Sequence, residues 1–212
     1  MIRSTGHWLA ANILAFAAAA AHPAPRFSIT FPPGTAEAAL SGRLILVLSQ
    51  NPEGEPREHV AWDGDAVPFF GIDVVNWKPG QKKVFDAKVD GFPLRSLDDL
   101  PAGEYRVQAV LNRYEKFKRS DGWTLLLPPD RGEGQVWRQK PGNLYSRPMT
   151  IRVDPKRRSR VALVLDQVIP PVAEFESKQT KYVRHFTIRS ERISKFWGRD
   201  VSLSAWVRLP WG

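Results

Sequence analysis

Two pairs of carboxylates are the most obvious candidates for chemistry in this 212-residue chain. Asp63 with Asp65, and Asp98 with Asp99, have the composition of a general acid–base pair or of a calcium site. The first pair lacks the spacing and the closing glutamate of an EF-hand loop. Aspartate beside glycine is ordinary turn chemistry. We therefore expect turns at both places. An enzyme that uses paired carboxylates is the weakest of the functional hypotheses that the sequence allows.

The sequence shows no pattern typical of a catalytic nucleophile or of a metal site. The chain has no cysteine, which excludes disulfides and thiolate metal sites. No serine stands in a G-x-S-x-G elbow or an S-x-x-K motif. His59 and His185 lie far apart, and neither has a second histidine at a ligand spacing. We predict no catalytic residue, no metal site and no cofactor, and we expect His185 to be an ordinary strand residue.

Three tryptophans are candidate ligand-binding residues. Trp77, Trp123 and Trp137 stand in loop-like surroundings rich in glycine and proline. An exposed aromatic face on a β-sandwich can stack on a sugar ring. Burial in the core is the more common fate of tryptophan, so both interpretations stay open here.

The N-terminus has the pattern of an export signal. Arg3 and His7 begin it, and the apolar run Trp8–Ala21 is too short for a comfortable membrane span. Ala19 and Ala21 fit a small-residue cleavage site. We predict a signal peptide over 1–21, with a short anchor as the alternative. A periplasmic or secreted location follows, with no stable membrane span after signal removal.

The net charge of +9 and a pI near 10.0 allow an acidic partner. Basic residues collect around Lys116–Arg119, Lys156–Arg160 and Lys178–Arg199, in part beside aromatic residues. Such interleaving can bind nucleic acid, but export argues against that partner. A glycan or another polyanion remains possible, and solvated strand faces are the simpler explanation of the charge.

Alternating apolar and polar residues predict an all-β fold over 26–168, an immunoglobulin-like β-sandwich. The segment Leu44–Leu48 is apolar throughout, as in a strand buried on both faces. Eighteen prolines and fifteen glycines interrupt the chain at short intervals, and we expect no helix. A linker is predicted over 169–180, and a β-hairpin over 181–212. An isolated hairpin is marginal in water, so this one needs a covering surface.

The residues also resemble a known family. Pro68–Val74, Leu100–Asn112 and Pro141–Ser146 resemble the N-terminal region of bacterial exported esterases, the relatives of enterochelin esterase and S-formylglutathione hydrolase. Phe196–Asp200 followed by Val201–Pro210 resembles the place where their α/β-hydrolase domain begins.

The resemblance implies a non-catalytic, hydrolase-associated β module that positions or gates a catalytic hydrolase domain, in cis or in trans. It also implies a truncated chain that ends before that domain. The family's nucleophilic serine, its acid and its histidine have no counterpart here, so no catalytic residue is carried over and the sequence leaves enzyme activity open. The alternative is a stand-alone envelope protein that binds a glycan or another polyanion.

Overall fold

The computed structural model describes residues 25–36, 38–61, 66–130, 134–154, 156–157, 159–171 and 180–210. The predicted signal peptide, the Asp63/Asp65 pair and most of the predicted linker lie outside these residues. The strands are β1 (Arg26–Thr30), β2 (Leu40–Ser49), β3 (Phe69–Trp77), β4 (Lys83–Phe85), β5 (Gly91–Phe92), β6 (Gly103–Arg113), β7 (Glu115–Lys118), β8 (Thr124–Leu127), β9 (Leu144–Tyr145), β10 (Met149–Val153), β11 (Arg160–Val164), β12 (Gln167–Val168), β13 (Val183–Arg189) and β14 (Ser202–Arg208), with one helix, α1 (Glu191–Trp197).

Two sheets form the sandwich. The larger has seven strands in the order β12-β9-β6-β2-β3-β5, with β10 paired to β6 beside β9, and the smaller has the order β11-β1-β4. Strand β1 runs parallel to β11 and antiparallel to β4. The apolar side chains of both sheets meet in one buried cluster. The expectation of an all-β sandwich is therefore confirmed.

Strand β2 is the centre of the larger sheet, because it pairs with β3 on one side and with β6 on the other. As predicted, its apolar run is buried on both faces. Leu44 and Leu46 belong to the core between the sheets. Ile45 and Val47 point to the opposite face, where Trp137 is one of the residues that pack on them.

The end of the chain forms a separate two-stranded sheet of β13 and β14, which we call the terminal ribbon. The expectation of no helix is wrong here, since α1 connects the two strands of the ribbon. Ser190 caps this helix by accepting a hydrogen bond from the amide of Ile193, and Gly198 ends it with a φ of 64°. The helix has only seven residues, too few to show an amphipathic period in the sequence.

One residue of the predicted linker packs on the sandwich. Ile169, the first residue of the predicted linker, is buried and exchanges backbone hydrogen bonds with Gly142 and Asn143. It therefore belongs to the sandwich. In the described part of the chain, no helix is long and apolar enough to cross a membrane.

Trp77 is expected to be one of the most important residues for stability. Its indole is fully buried, meets Phe31 edge to face at 4.8 Å, and donates a hydrogen bond from Nε1 to the carbonyl of Gln81 at 2.7 Å. Trp77→Ala should lower the free energy of unfolding in urea by roughly 3–5 kcal/mol, because it leaves a large cavity. Trp123→Ala is the matched control at a 68% exposed position, with an expected change within about 0.5 kcal/mol. Equal losses in the two variants would contradict this assignment.

Candidate functional site

An open cleft of about 420 Å³ lies on the face of the larger sheet that is turned away from the core. Three members of the apolar cluster on this face, Ile45, Phe69 and Trp137, line it. Aromatic side chains and a few polar ones share its wall, which is the usual make-up of a small-molecule site. The lining residues that matter here are Arg43, Phe69, Phe92, Asn112, Tyr114 and Trp137.

The strand register brings the polar residues of the cleft together. Arg43 on β2 is paired in register with Asp73 on β3 and with Asn112 on β6, so the three form one row across the sheet. The Nη1 of Arg43 lies 3.3 Å from the Oδ2 of Asp73. Gly71 makes this possible, because a Cβ there would stand only 2.8 Å from the Nε of Arg43. Glycine thus lets the guanidinium lie close against β3.

A buried asparagine fixes the position of Trp137. The Nδ2 of Asn143 donates to the carbonyl of Trp137 at 2.8 Å and to the Oδ1 of Asn112 at 3.2 Å. Its Oδ1 accepts from the amide of Arg113 at 2.9 Å. Asn143 is almost fully buried, so these partners meet no competition from water. The loop that carries the tryptophan is therefore tied to the end of β6.

Tyr114 supplies a phenol at the same end of the cleft. Its burial raises the pKa of the hydroxyl, the charge of Asp73 raises it further, and Arg43 partly opposes this. The phenol is therefore protonated at neutral pH and can donate a hydrogen bond. Its pKa is above the ordinary value, so the folded chain loses stability at pH values above 10, where the unfolded tyrosine ionises first.

The three predicted ligand-binding tryptophans have separate positions. Trp137 lines the cleft and is half-buried. Trp123 is exposed next to β8, away from the cleft. For Trp77 the loop-like expectation is wrong: it is the last residue of β3 and has no exposed face to offer a ligand. The glycine and proline that follow it in sequence belong to the turn after the strand.

The remaining candidates for chemistry have structural partners. The carboxylate of Asp99 accepts from the amide of Ser96, and the Oγ of Ser96 accepts from the amide of Asp98, so these residues cap a single helical turn over Leu97–Asp99. The Nδ1 of His59 lies 2.8 Å from the Oγ of Ser49, but Ser49 has no exposed surface and no substrate can reach it. Within the described residues no group of three His, Cys, Asp or Glu side chains is placed to hold a metal ion.

A second feature connects the sandwich to the terminal ribbon. The turn of the β7–β8 hairpin meets the end of α1 in a contact that we call the joint. Its members are Phe117, Arg119, Ser120, Phe196, Trp197 and Arg199.

Two kinds of interaction stabilise the joint. The guanidinium of Arg119 lies 4.5 Å above the ring of Phe196, and the rings of Phe117 and Trp197 are 5.9 Å apart. The backbone amide and the hydroxyl of Ser120 both donate to the carbonyl of Phe196, at 3.3 and 2.9 Å. A carbonyl near the end of the helix, which has no partner within α1, is satisfied in this way.

The ribbon presents one apolar face to solvent. Its register places Ile188 opposite Leu203, and Phe186 opposite Ala205, on the same side. Phe186, Ile188 and Leu203 are 49%, 68% and 56% exposed. The other side carries Thr187, which shares a hydrogen bond with Ser204 at 3.1 Å. It also carries His185 and Trp206, whose rings are 4.7 Å apart and tilted by 36°. His185 is thus a strand residue, as expected.

Comparisons of the chain with family models, with curated proteins and with solved structures found no match. The esterase resemblance therefore depends on the residues quoted for it, and the structure gives the fold and the geometry of the cleft, the joint and the ribbon.

Asn143→Ala tests the buried network of the cleft. It leaves the amide of Arg113 and the carbonyl of Trp137 without their partner, so we expect a loss of roughly 2–4 kcal/mol in urea unfolding. Asn112→Ala is the control, because Asn143 then keeps both backbone contacts, and its loss should stay below about 1 kcal/mol. A larger loss in the control than in Asn143→Ala would refute the role given to Asn143.

Arg119→Ala tests the joint. Loss of the contact with Phe196 should speed amide hydrogen exchange in β13 and β14 by roughly two- to fivefold, with exchange in β2 and β6 unchanged. Lys118→Ala, a charge loss on the same hairpin, should leave all rates as they are. If Arg119→Ala also leaves the ribbon's exchange unchanged, the joint does not hold the ribbon.

Proposed function

We propose that this chain is the non-catalytic β-sandwich module of an exported serine esterase, and that its terminal ribbon holds the α/β-hydrolase domain of that enzyme. The observation that carries the proposal is the uncovered apolar face of the ribbon around Ile188 and Leu203. A periplasmic or secreted location is part of the proposal and depends on the pattern of residues 1–21.

The ribbon needs a covering layer to be stable. A two-stranded sheet is marginal in water unless a further layer covers its apolar face. Within the described residues, β13 and β14 pair only with each other, so each strand has an open edge as well. A hydrolase domain meets both needs: its sheet can extend the open edge of the ribbon, and its helices can cover the apolar face.

The sequence of the same segment supports the choice of partner. The stretch that resembles the start of the hydrolase domain, Phe196–Asp200 and Val201–Pro210, forms the end of α1 and strand β14. Arg189 and Asp200 stabilise the base of the ribbon, with Nη2 and Oδ1 2.8 Å apart. The hydroxyl of Ser194 is hydrogen-bonded to the amide of Val201 at 2.9 Å. The ribbon and its helix therefore form one ordered unit.

The joint gives this unit a defined orientation on the sandwich. A partner that covers the ribbon is then also positioned relative to the larger sheet and its cleft. The proposal assigns catalysis to the hydrolase domain, since Ser49, the serine that contacts His59, is fully buried and closed to substrate.

The test is capture of a serine hydrolase by the tagged full chain in an envelope extract of its native host. A fluorophosphonate probe labels only active serine hydrolases. We expect a labelled protein or domain to be recovered with the native chain and to be lost with the double variant Ile188→Ser/Leu203→Ser. The purified chain alone should hydrolyse p-nitrophenyl butyrate no faster than buffer.

The matched control is Thr187→Ala/Ser204→Ala, which changes the opposite face of the same ribbon and should retain the labelled protein. Circular dichroism melting of all three proteins checks that the sandwich stays folded. The proposal fails if no fluorophosphonate-reactive protein is recovered, or if both double variants recover it equally. It also fails if the purified chain alone hydrolyses the ester.

A further inference from the structure

We propose that the cleft beside Trp137 binds a neutral pyranose sugar of a glycan. The ring of the sugar stacks on the aromatic wall, and its hydroxyls bond to Arg43, Asn112 and Tyr114. This inference does not depend on the hydrolase partner, because the residues that carry it belong to the sandwich and none belongs to the ribbon or the joint.

The aromatic wall matches one side of a sugar ring. A pyranose presents C–H groups on its faces and hydroxyls around its rim. Trp137 and Tyr114 line the cleft together with the pair of Phe69 and Phe92, whose rings are 5.9 Å apart. A volume of about 420 Å³ lies in the range of small-molecule sites and suits a short oligosaccharide.

The polar side chains of the cleft suit the hydroxyl groups around the rim of the sugar. Asn112 uses its Oδ1 to accept from Asn143, which leaves the Nδ2 of the same amide as the donor for a ligand. Arg43 has five N–H donors in a planar fork, and its ion pair with Asp73 engages one nitrogen. Planar groups of this kind suit two neighbouring hydroxyls, since each hydroxyl both donates and accepts.

The local charge favours a neutral ligand over an anionic one. Asp73 compensates Arg43, and the exposed Asp90 adds a negative charge at the rim. The basic clusters noted in the sequence lie elsewhere: Lys116 and Lys118 are on β7, and Lys156 is near the start of β11. An acidic polysaccharide would therefore meet no net positive charge in this cleft.

The polar groups of the cleft are held in place by the fold itself. Asn143 holds the backbone of Trp137 and the amide of Asn112 at once, so the stacking group and one hydrogen-bonding group are fixed relative to each other before a ligand arrives. Binding then costs little ordering of side chains.

The experiment is saturation-transfer-difference NMR followed by titration calorimetry on the full chain. The neutral probes are cellotriose, chitotriose, maltotriose and xylotriose, and the anionic probe is trigalacturonate. We expect saturable binding of at least one neutral trisaccharide. Asn112→Asp should weaken it about tenfold, because this variant keeps an acceptor for Asn143 and replaces the Nδ2 donor with a charged carboxylate oxygen beside Arg43. Trp137→Ala should weaken it at least as much.

Trp123→Ala is the matched control and should change the affinity by less than about twofold, since Trp123 lies outside the cleft. Melting curves identify any loss caused by unfolding, and Asn112→Asp keeps the test valid if Trp137→Ala is unstable. The proposal is overturned if no neutral trisaccharide binds or if trigalacturonate binds more tightly. It is also overturned if Trp123→Ala weakens binding as much as Trp137→Ala.

Discussion

The burial of β2 on both faces is the constraint on which the rest of the structure depends. Its Leu44 and Leu46 close the core between the two sheets, while Ile45 and Val47 on the reverse require a cover of their own. The loop of Trp137 contributes to that cover and leaves a gap beyond Ile45, which is the cleft. A slip of β2 by one residue would exchange these two sets and remove the core and the cleft together.

The cleft and the joint are stabilised by the same kinds of contact. Each brings aromatic rings beside a guanidinium, and each is held by side-chain hydrogen bonds to backbone carbonyls. In the cleft, the buried side chain of Asn143 connects a loop to a strand by hydrogen bonds. In the joint, Ser120 connects a hairpin turn to a helix in the same way, but in a more exposed place. The hydrogen bonds of the cleft are therefore better shielded from water than those of the joint.

The sequence predicts the parts of this structure that depend on local pattern. The alternation of Tyr105 to Leu111 and the continuous apolar run of β2 are local signals, and both give strands where expected. Trp77 misled the prediction because the turn residues that follow it are local, whereas its burial against Phe31 is a contact across the sandwich. Helix α1 is too short for its period to be recognised.

The candidate sites depend on information that a single sequence lacks. Nothing local connects Arg43 with Asp73 or with Asn112, because only the pairing of β2 with two distant strands makes them neighbours. Trp137 is the one cleft residue that the sequence analysis names as a candidate for ligand binding, because an aromatic residue in a Gly- and Pro-rich stretch is a local sequence signal. Asn143 lies in the stretch Pro141–Ser146, but no pattern in the sequence indicates that it holds the cleft together.

The joint has a consequence for the lengths of the segments that form it. Ser120 and Phe196 meet through backbone atoms, so the contact depends on where the turn of the β7–β8 hairpin ends and not only on which side chains it carries. An insertion of even one residue between Lys118 and Thr124 would displace the contact of Ser120 with Phe196 and change the orientation of the ribbon on the sandwich. Loops on the sandwich far from this hairpin can vary in length without that effect, so the hairpin sets the angle at which anything attached to the ribbon stands.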